Sequence, residues 1–195
     1  MTEPLVRHVA DVPPVPWRNG GGETRPLFES ADGALRISLA AIAGPGPFST
    51  FAGEERLLVP LGPGALVLAH GDDAPPSRPR TLEPYRFSGD WTTSAADGTG
   101  ELDALNAFAR RGVVEVSAEP WRLGKRRRLE ELTATWTVLF LTDGAAVVRV
   151  SNEEESLELE GGELLVIERP LPGEALEVTG TDAEAEALLL LARSV

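Results

Sequence analysis

VLFLTDGAAVVRV, residues 138–150, is the segment of this sequence that says most about its fold. Two apolar runs, Val138–Leu141 and Ala145–Val150, stand on either side of Thr142-Asp143-Gly144. Asp-Gly readily adopts the backbone conformations of a tight turn, and short runs rich in valine favour strands. The segment therefore predicts a strand, a tight turn and a second strand.

A second segment, LLVPLGPGALVL at residues 57–68, follows the same order. Its two apolar runs are separated by Gly62-Pro63-Gly64. In each half of the chain a turn of glycine and acid follows at a similar distance, at Gly89-Asp90 and at Gly161-Gly162-Glu163. This internal repeat resembles the hairpin framework of a cupin barrel, so we predict a duplicated architecture.

Further strand candidates follow at spacings of about 8 to 12 residues, with turn residues between them, as in antiparallel sandwiches and barrels. They are residues 35–39, 80–87, 113–117, 135–141, 156–159, 164–168 and 175–179. Leu102–Arg111 predicts a short helix, because Leu102, Leu105 and Phe108 are spaced by three. Residues 183–192 fit either a helix or a closing strand that is buried on both faces.

Together these patterns predict an all-β fold, in which double-stranded β-helix (cupin) barrels are duplicated in one chain, a bicupin, with one short helix. The N-terminal half would span residues 1–112 and the C-terminal half residues 113–195, packed as one compact unit. Glycine and proline, 20 and 16 of the 195 residues, are too frequent for a helical bundle.

The residue counts exclude several chemistries. The lack of cysteine rules out disulfides, thiolate nucleophiles, cysteine-bound zinc and iron–sulfur clusters. The two histidines, His8 and His70, lie far apart, so neither half carries the His-x-His pair of a metal-dependent cupin. We therefore expect neither a metal nor another cofactor. Lysine chemistry is limited to Lys125.

The net charge of −13 is concentrated in residues 151–195, which carry twelve acidic and two basic side chains. An acidic chain is repelled by nucleic acids and anionic membranes, so neither is an expected partner. No signal-peptide pattern opens the sequence and no run reaches the roughly 18 apolar residues of a membrane span, which predicts a cytoplasmic protein. The basic stretch at residues 121–128 fits a solvated loop that faces the acidic region, or an anion site.

The stretch VPWRNGGGETR, residues 15–25, contains three consecutive glycines. Glycines leave peptide N–H groups uncovered and allow positive φ, so the backbone here can approach a ligand or form a plain flexible turn. The spacing is not that of a phosphate-binding loop. Asn19 and Thr24 add an amide and a hydroxyl that can complete a polar pocket.

Four motifs resemble the HutD/Ves family in order and spacing, over roughly residues 8–150. They are Pro16-Trp17-Arg18-Asn19-Gly20-Gly21-Gly22-x-Thr24-Arg25, Phe48-Ser49-Thr50-Phe51-Ala52-Gly53-x-x-Arg56, Phe87-x-Gly89-Asp90, and Asn106 followed by Arg110-Arg111. The resemblance implies a bacterial, metal-free double cupin, associated in some members with histidine utilisation. It implies regulation of histidine breakdown through a bound intermediate such as formylglutamate or urocanate. The sequence departs from the family at Ala104-Leu105-Asn106, where the family has Asp-aromatic-Asn and Asp103 is displaced by one.

These family positions make chemical sense as one pocket for a small acidic metabolite. Arg56 presents a planar fork that matches a carboxylate, while Phe48 and Phe51 can form apolar walls. The candidate ligand-binding residues are Asn19, Gly20, Gly21, Gly22, Thr24, Phe48, Phe51, Arg56, Asp90 and Asn106. Structural roles stay open for the same residues: Arg56 can pair with Asp90, and the two phenylalanines can be core residues.

Nucleophilic catalysis has little support, because no nucleophile elbow exists and His70 is expected to be exposed in its Gly-Asp turn region. The sequence therefore favours a ligand-binding regulatory protein. The alternative is a metal-free isomerase or hydrolase that uses Asp90 or Glu23 as a general acid or base. A third interpretation is an interaction module whose acidic residues 151–195 engage a basic partner or the second subunit of a homodimer.

Overall fold

The computed structural model describes residues 3–17, 21–124, 127–129, 131–151, 153 and 155–195. Within these residues the chain forms eighteen strands and one short 3-10 helix, Val9–Asp11. The strands are β1 (Leu5–His8), β2 (Val15–Pro16), β3 (Gly22–Glu29), β4 (Leu35–Ile42), β5 (Gly46–Pro47), β6 (Glu54–Leu61), β7 (Leu68–Ala69), β8 (Tyr85–Ser88), β9 (Ser94–Ala95), β10 (Leu102–Arg110), β11 (Val114–Arg122), β12 (Arg127–Leu129), β13 (Trp136–Asp143), β14 (Ala145–Val150), β15 (Leu157–Glu160), β16 (Glu163–Glu168), β17 (Leu176–Gly180) and β18 (Glu186–Ser194).

The chain divides into two units. The N-terminal unit comprises Val12–Val116 with Val195. It contains a six-stranded sheet, β2-β3-β4-β10-β6-β8, and a three-stranded sheet, β5-β9-β7. Apolar side chains from both sheets meet in one buried cluster, which includes Leu58 and Phe87 of the larger sheet and Leu68 of the smaller. We call the face of the six-stranded sheet that carries these residues the inner face.

The C-terminal unit comprises Met1–Asp11 and Ser117–Ser194. Its sheets have the orders β1-β16-β13-β18-β11 and β12-β17-β14-β15. Leu139 and Leu189 of the first sheet share a buried cluster with Val148 and Val178 of the second. The first strand of the chain thus belongs to this unit, because β1 pairs with β16. The predicted folding units, residues 1–112 and 113–195, stay a prediction.

The two repeated segments occupy corresponding places in the two units. Residues 138–150 form β13 and β14, and the Asp143-Gly144 turn leads from one sheet of the C-terminal unit to the other. In the N-terminal unit, the chain after β6 leads likewise from the six-stranded sheet to β7 in the three-stranded sheet. The turns at Gly89-Asp90 and Gly161-Gly162 also connect strands of different sheets. The internal repeat therefore marks where the chain crosses between sheets.

The predicted short helix at Leu102–Arg111 is wrong, because Leu102–Arg110 is the strand β10. Strand β10 lies between β4 and β6 in the sheet, and its residues from Ala104 to Ala107 are buried whichever face they point to, so the alternation of a half-buried strand is lost. Of the two alternatives for residues 183–192, the strand is confirmed as β18. No helix in the described part of the chain has the length and apolarity to cross a membrane.

Candidate functional site

The registers of the six-stranded sheet place several polar residues on its inner face. Directly opposed residues of antiparallel strands share a face. Ser38 and Leu58 both lie opposite Asn106, and Phe87 and Phe108 both lie opposite Arg56. Arg56 and Asn106, distant in sequence, are thereby brought next to each other in the apolar interior of the N-terminal unit.

Arg56 is the only arginine among the buried residues that the structure describes, with 6% of its surface exposed. Its guanidinium carbon lies 4.7 Å from the ring centre of Phe87, 4.9 Å from Phe108, 5.3 Å from Phe48 and 5.6 Å from Phe51. The negative faces of aromatic rings attract a cation, so these four rings partly replace the water that a buried charge loses. They form a ring of phenylalanines around the guanidinium.

Asn106 holds this guanidinium in place. Its Oδ1 accepts a hydrogen bond of 3.1 Å from Nη2 of Arg56, and its Nδ2 donates to the carbonyl of Ala104 at 3.2 Å. Nε of Arg56 is buried and has no hydrogen-bond partner within the part of the chain that the structure describes. Arg56 also forms no ion pair with any residue in the described ranges. A buried cation with an unpartnered N–H group is the arrangement that an anionic ligand would complete.

Burial lowers the pKa of Arg56 to about 10, and the negative charge of Glu54 acts against this decrease. Arg56 is therefore still a cation at neutral pH. Glu54 does not pair with it, because its carboxylate forms an ion pair with Arg36. Arg36 lies 5.3 Å from the ring centre of Phe51 and 5.1 Å from that of Phe108, so each of these two rings contacts two guanidinium groups.

The described part of the glycine motif lies beside the site, whereas Asn19 and Gly20 lie outside the described residues. Nε1 of Trp17 donates to Oγ1 of Thr24 at 2.7 Å, and the ring of Trp17 meets that of Phe48 edge to face at 5.8 Å. A Cβ on Gly22 would lie 2.2 Å from the carbonyl oxygen of Ala41, so only glycine fits there. Trp17 thus connects Gly22 and Thr24 to Phe48, which contacts Arg56.

Asp90 lies away from Arg56, and the suggested pairing of these two residues is wrong. Oδ2 of Asp90 lies 2.7 Å from Nη2 of Arg111, and Oδ1 accepts from the amide of Gly53 at 2.9 Å. The Gly53 amide and Arg111 lower the pKa of Asp90 below its ordinary value. Its carboxylate is exposed, and it holds a turn together.

Glu23 is the other carboxylate that was considered as a general acid or base. It lies opposite Ala41, whereas the inner face carries the neighbouring pair Thr24 and Ala40. Oε1 of Glu23 lies 3.5 Å from Nη2 of Arg25. Neither Glu23 nor Asp90 therefore faces Arg56, so neither is placed to exchange a proton with a ligand bound there.

His70 is buried with no exposed surface, so its expected exposure in a turn is wrong. Nδ1 lies 3.0 Å from Oγ1 of Thr93, and Nε2 lies 3.0 Å from the hydroxyl of Tyr85. Its ring is 5.4 Å from that of Phe87, which separates it from Arg56. The alternation of buried residues in a strand could have predicted this burial, because His70 follows the buried Leu68 by two residues, directly after β7.

Phe87 and Phe108 were not named among the candidate residues, although both contact Arg56. Phe108 follows Asn106 by two residues on β10, and Phe87 stands in the motif that contains Asp90. The period of two that places Asn106 on the inner face would also have placed Phe108 there, had β10 been recognised as a strand.

A cavity of about 190 Å³ opens on the other face of the six-stranded sheet, beside Leu57, Ala107 and Ala109. Arg56 also lines this cavity, and the other two arginines of its lining already have partners, since Arg86 donates to the carbonyl of Val116 and Arg111 to Glu55. Arg56 offers the stronger anion site, because its Nε has no partner. In the described ranges no group of three or more His, Cys, Asp or Glu side chains is arranged to hold a metal ion.

The sequence model of the HutD family matches residues 9–187. The chain belongs to the HutD family. The resemblance to HutD/Ves sequences is thereby confirmed. Protein Ves of Citrobacter koseri is 32% identical over 167 residues, which cover 72% of this chain and 84% of Ves. An uncharacterized 21.2 kDa protein in the hutC 3' region of Pseudomonas putida is 36% identical over 96 residues, or 46% of this chain and 50% of that protein.

Solved structures confirm the fold of this HutD family member. A conserved protein of unknown function from Pseudomonas aeruginosa PAO1 has a TM-score of 0.89 at 22% identity, covering 99% of this chain and 100% of the other. HutD from Pseudomonas fluorescens SBW25 has a TM-score of 0.81 at 24% identity, covering 98% and 99%. A mutant of Bacillus subtilis oxalate decarboxylase, a cupin, has a TM-score of 0.70 at 7% identity, covering 98% and 79%. The predicted all-β, duplicated cupin fold is confirmed.

Proposed function

We propose that this HutD family member is a regulatory protein that binds a small carboxylated metabolite of histidine utilisation in the cytoplasm. The observation that carries the proposal is Arg56, a buried guanidinium with an unpartnered Nε. Leaving a buried donor of a charged group unsatisfied costs about 1–3 kcal/mol or more. A carboxylate is the small group that matches a guanidinium best in both charge and geometry.

The surroundings of Arg56 favour a small organic acid over a phosphate. Phe48 and Phe51 both contact the guanidinium as apolar walls, and Trp17 extends this surface from Phe48. An apolar wall is of use to a ligand with a carbon skeleton, and a carboxylate on that skeleton would meet Nε. Formylglutamate and urocanate both have this combination of groups.

The link to histidine utilisation is supported by the family and by the Pseudomonas putida relative, whose description places it in the hutC 3' region. A binding role is favoured over an isomerase or hydrolase because neither of the two carboxylates considered as a general acid or base, Asp90 and Glu23, faces Arg56. Glu54 is engaged in an ion pair with Arg36. A binding protein needs no general acid or base, whereas an isomerase or hydrolase does.

Calorimetric titration with formylglutamate, urocanate and histidine tests the proposal. We expect one of the two intermediates to bind with a millimolar or lower Kd, and Arg56→Ala to remove this binding, because a lost charged hydrogen bond costs about 1.5–3 kcal/mol. Arg122→Ala is the matched control, since 91% of that side chain is exposed. A wild-type protein that binds none of the three compounds would contradict the ligand assignment.

A further inference from the structure

The loop of residues 48–53 carries two of the four rings that surround Arg56. Phe48 stands at its beginning and Phe51 near its end, before β6 starts at Glu54. These residues belong to no strand of the described chain, so pairing within a sheet does not fix their position. The position of the two rings therefore depends on whatever holds this loop, which we call the aromatic loop.

Backbone hydrogen bonds tie the aromatic loop to the turn that follows β8. The amide of Phe48 donates to the carbonyl of Thr93 at 2.9 Å, and the amide of Phe51 donates to that of Gly89 at 2.7 Å. Gly89 donates in return to the carbonyl of Glu54 at 2.8 Å. A Cβ on Gly89 would lie 2.4 Å from the carbonyl oxygen of Phe51, so glycine is required for this approach.

The side chain of Asp90 adds a further hydrogen bond between the aromatic loop and the turn that follows β8. Its Oδ1 accepts from the amide of Gly53, the last residue of the aromatic loop, at 2.9 Å. Gly53 has a φ of +77° and so needs an external partner to hold a conformation that glycine can leave easily. The same carboxylate pairs through Oδ2 with Arg111 at 2.7 Å.

Arg111 connects this carboxylate to the start of β6. Its Nε donates to Oε1 of Glu55 at 2.8 Å, its Nη2 donates to Oγ of Ser88 at 2.6 Å, and its amide donates to the carbonyl of Gly53 at 2.9 Å. The guanidinium fork thus fixes the orientation of Asp90 from several directions. We call Asp90 and Arg111 the clamp.

From this geometry we infer that Asp90 is a positioning residue for the Arg56 site. By holding Gly53, the clamp keeps the aromatic loop closed, so that Phe48 and Phe51 stay against the guanidinium. The inference rests on the proposed function, because it assigns to the clamp a share of the affinity for the carboxylate. Asp90 acts through the loop and does not touch the ligand.

The clamp acts locally and contributes little to global stability. Its side chains are exposed, at 43% for Asp90 and 45% for Arg111, and exposed ion pairs stabilise a fold only slightly. Local opening of a loop is governed by such bonds, independently of global unfolding. If the loop is closed only part of the time, the affinity for a ligand that needs the closed loop falls in proportion.

The experiment compares Asp90→Ala with Asp90→Asn in the full chain. For each variant, the Kd for formylglutamate and urocanate and the hydrogen exchange of the Phe51 and Gly53 amides are measured. For Asp90→Ala we expect about tenfold weaker binding, faster exchange at both amides and an unchanged Tm. Asparagine keeps an acceptor for Gly53, so Asp90→Asn should restore most of the affinity and most of the protection.

The matched control is Glu186→Gln, which removes an exposed ion pair of 3.4 Å with Arg122 in the C-terminal unit. This variant should change neither the Kd nor the hydrogen exchange of the Phe51 and Gly53 amides. Faster exchange in Asp90→Ala with an unchanged Kd would overturn the positioning role, and unchanged exchange would overturn the clamp itself. If the wild-type protein binds neither compound while its amides respond as expected, the proposed function fails and the positioning role fails with it, but the clamp on the loop stands.

Discussion

Arg56 is held in an apolar interior by four aromatic rings and by a hydrogen bond to Asn106. A cation–π contact away from water contributes about 2 kcal/mol, so the rings offset part of the cost of burying the charge. Burial lowers the pKa of Arg56 to about 10, as expected for a cation that has lost its water. A bound carboxylate would supply the missing interaction, and this explains how an arginine can be kept buried with Nε unpartnered.

His70 is the second buried titratable residue of the N-terminal unit. Burial lowers its pKa below the ordinary value of 6.5, the charge of Arg56 adds to this, and Asp73 opposes it. The unfolded chain therefore binds a proton that folded His70 resists as the pH falls below 6.5. The stability that neutral His70 provides is fully present above this pH and is lost as the pH falls below it.

We accordingly expect the free energy of unfolding to fall between pH 7 and pH 5, by up to about 1.4 kcal/mol per pH unit from this group. Denaturant unfolding of His70→Gln should show a smaller slope, because glutamine can bond the hydroxyls of Thr93 and Tyr85 without titrating. Equal slopes in the wild type and the variant would contradict the role given to His70.

For individual residues, motif membership could be predicted from the sequence better than side-chain contacts between distant residues. The motif containing Phe48, Phe51 and Arg56 was correctly taken as one group, because its members stand close together in the chain. The partner of Asp90 was missed. Both arginines could pair with Asp90, and the sequence does not distinguish Arg56 from Arg111. Only the structure shows that Arg56 lies on the inner face, whereas Arg111, after β10, contacts Glu55 and Ser88 and reaches Asp90.

Among the strands, β3 depends on its first residue, Gly22, for its packing against β4. Gly22 lies opposite Ile42 of β4, and a side chain on it would meet the carbonyl oxygen of Ala41 at 2.2 Å. The distance is far below van der Waals contact and the obstacle is backbone, which cannot move aside as a flexible side chain can. Gly22 is therefore needed for the packing of β3 against β4.

Gly22→Ala should lower the free energy of unfolding by about 1–3 kcal/mol, the usual cost of forcing an extra group into a packed site. Gly100→Ala is the control, because the nearest atom to its added Cβ lies 3.9 Å away. That variant should stay within about 0.5 kcal/mol of the wild type. Urea unfolding of the three proteins gives the comparison, and an unaffected Gly22→Ala would show that β3 and β4 can separate at this point.

Strand β10 shows why some elements could not be predicted. The spacing of Leu102, Leu105 and Phe108 satisfies a helical period, whereas four consecutive residues of the strand, from Ala104 onward, are buried and show no alternation. Strand β14 was predicted with its observed limits, Ala145–Val150, since turn residues bound it at both ends. A central strand carries little signal in its own residues, because its burial is decided by its neighbours.

For the whole molecule, the duplicated architecture could be predicted from the sequence. The membership of β1 in the C-terminal unit could not. The repeat of strand, tight turn and strand is written in both halves of the sequence, and both copies cross between sheets at the corresponding place. The pairing of β1 with β16 joins residues more than 150 positions apart, and no local pattern encodes it. Long-range pairing depends on the assembled sheet.

A prediction for the whole molecule is that removing metal ions has no effect on it. Dialysis against EDTA should leave both the Tm and the affinity for the carboxylate unchanged, because the ligand interactions assigned here are hydrogen bonds and an ion pair with Arg56. Thermal unfolding and calorimetry before and after dialysis provide the measurement. A decrease of several degrees in Tm that one divalent metal reverses would contradict the account of a metal-free site.

We propose that the buried guanidinium of Arg56 binds the carboxylate of a small metabolite. Its Nε–H has no partner in the structure, so its NMR resonance is a direct probe of the site. We predict that titration with formylglutamate or urocanate shifts this resonance downfield and saturates at the Kd found by calorimetry, because a charged hydrogen bond forms at that atom. A compound that binds to the protein while the Arg56 resonance stays in place would contradict the claim.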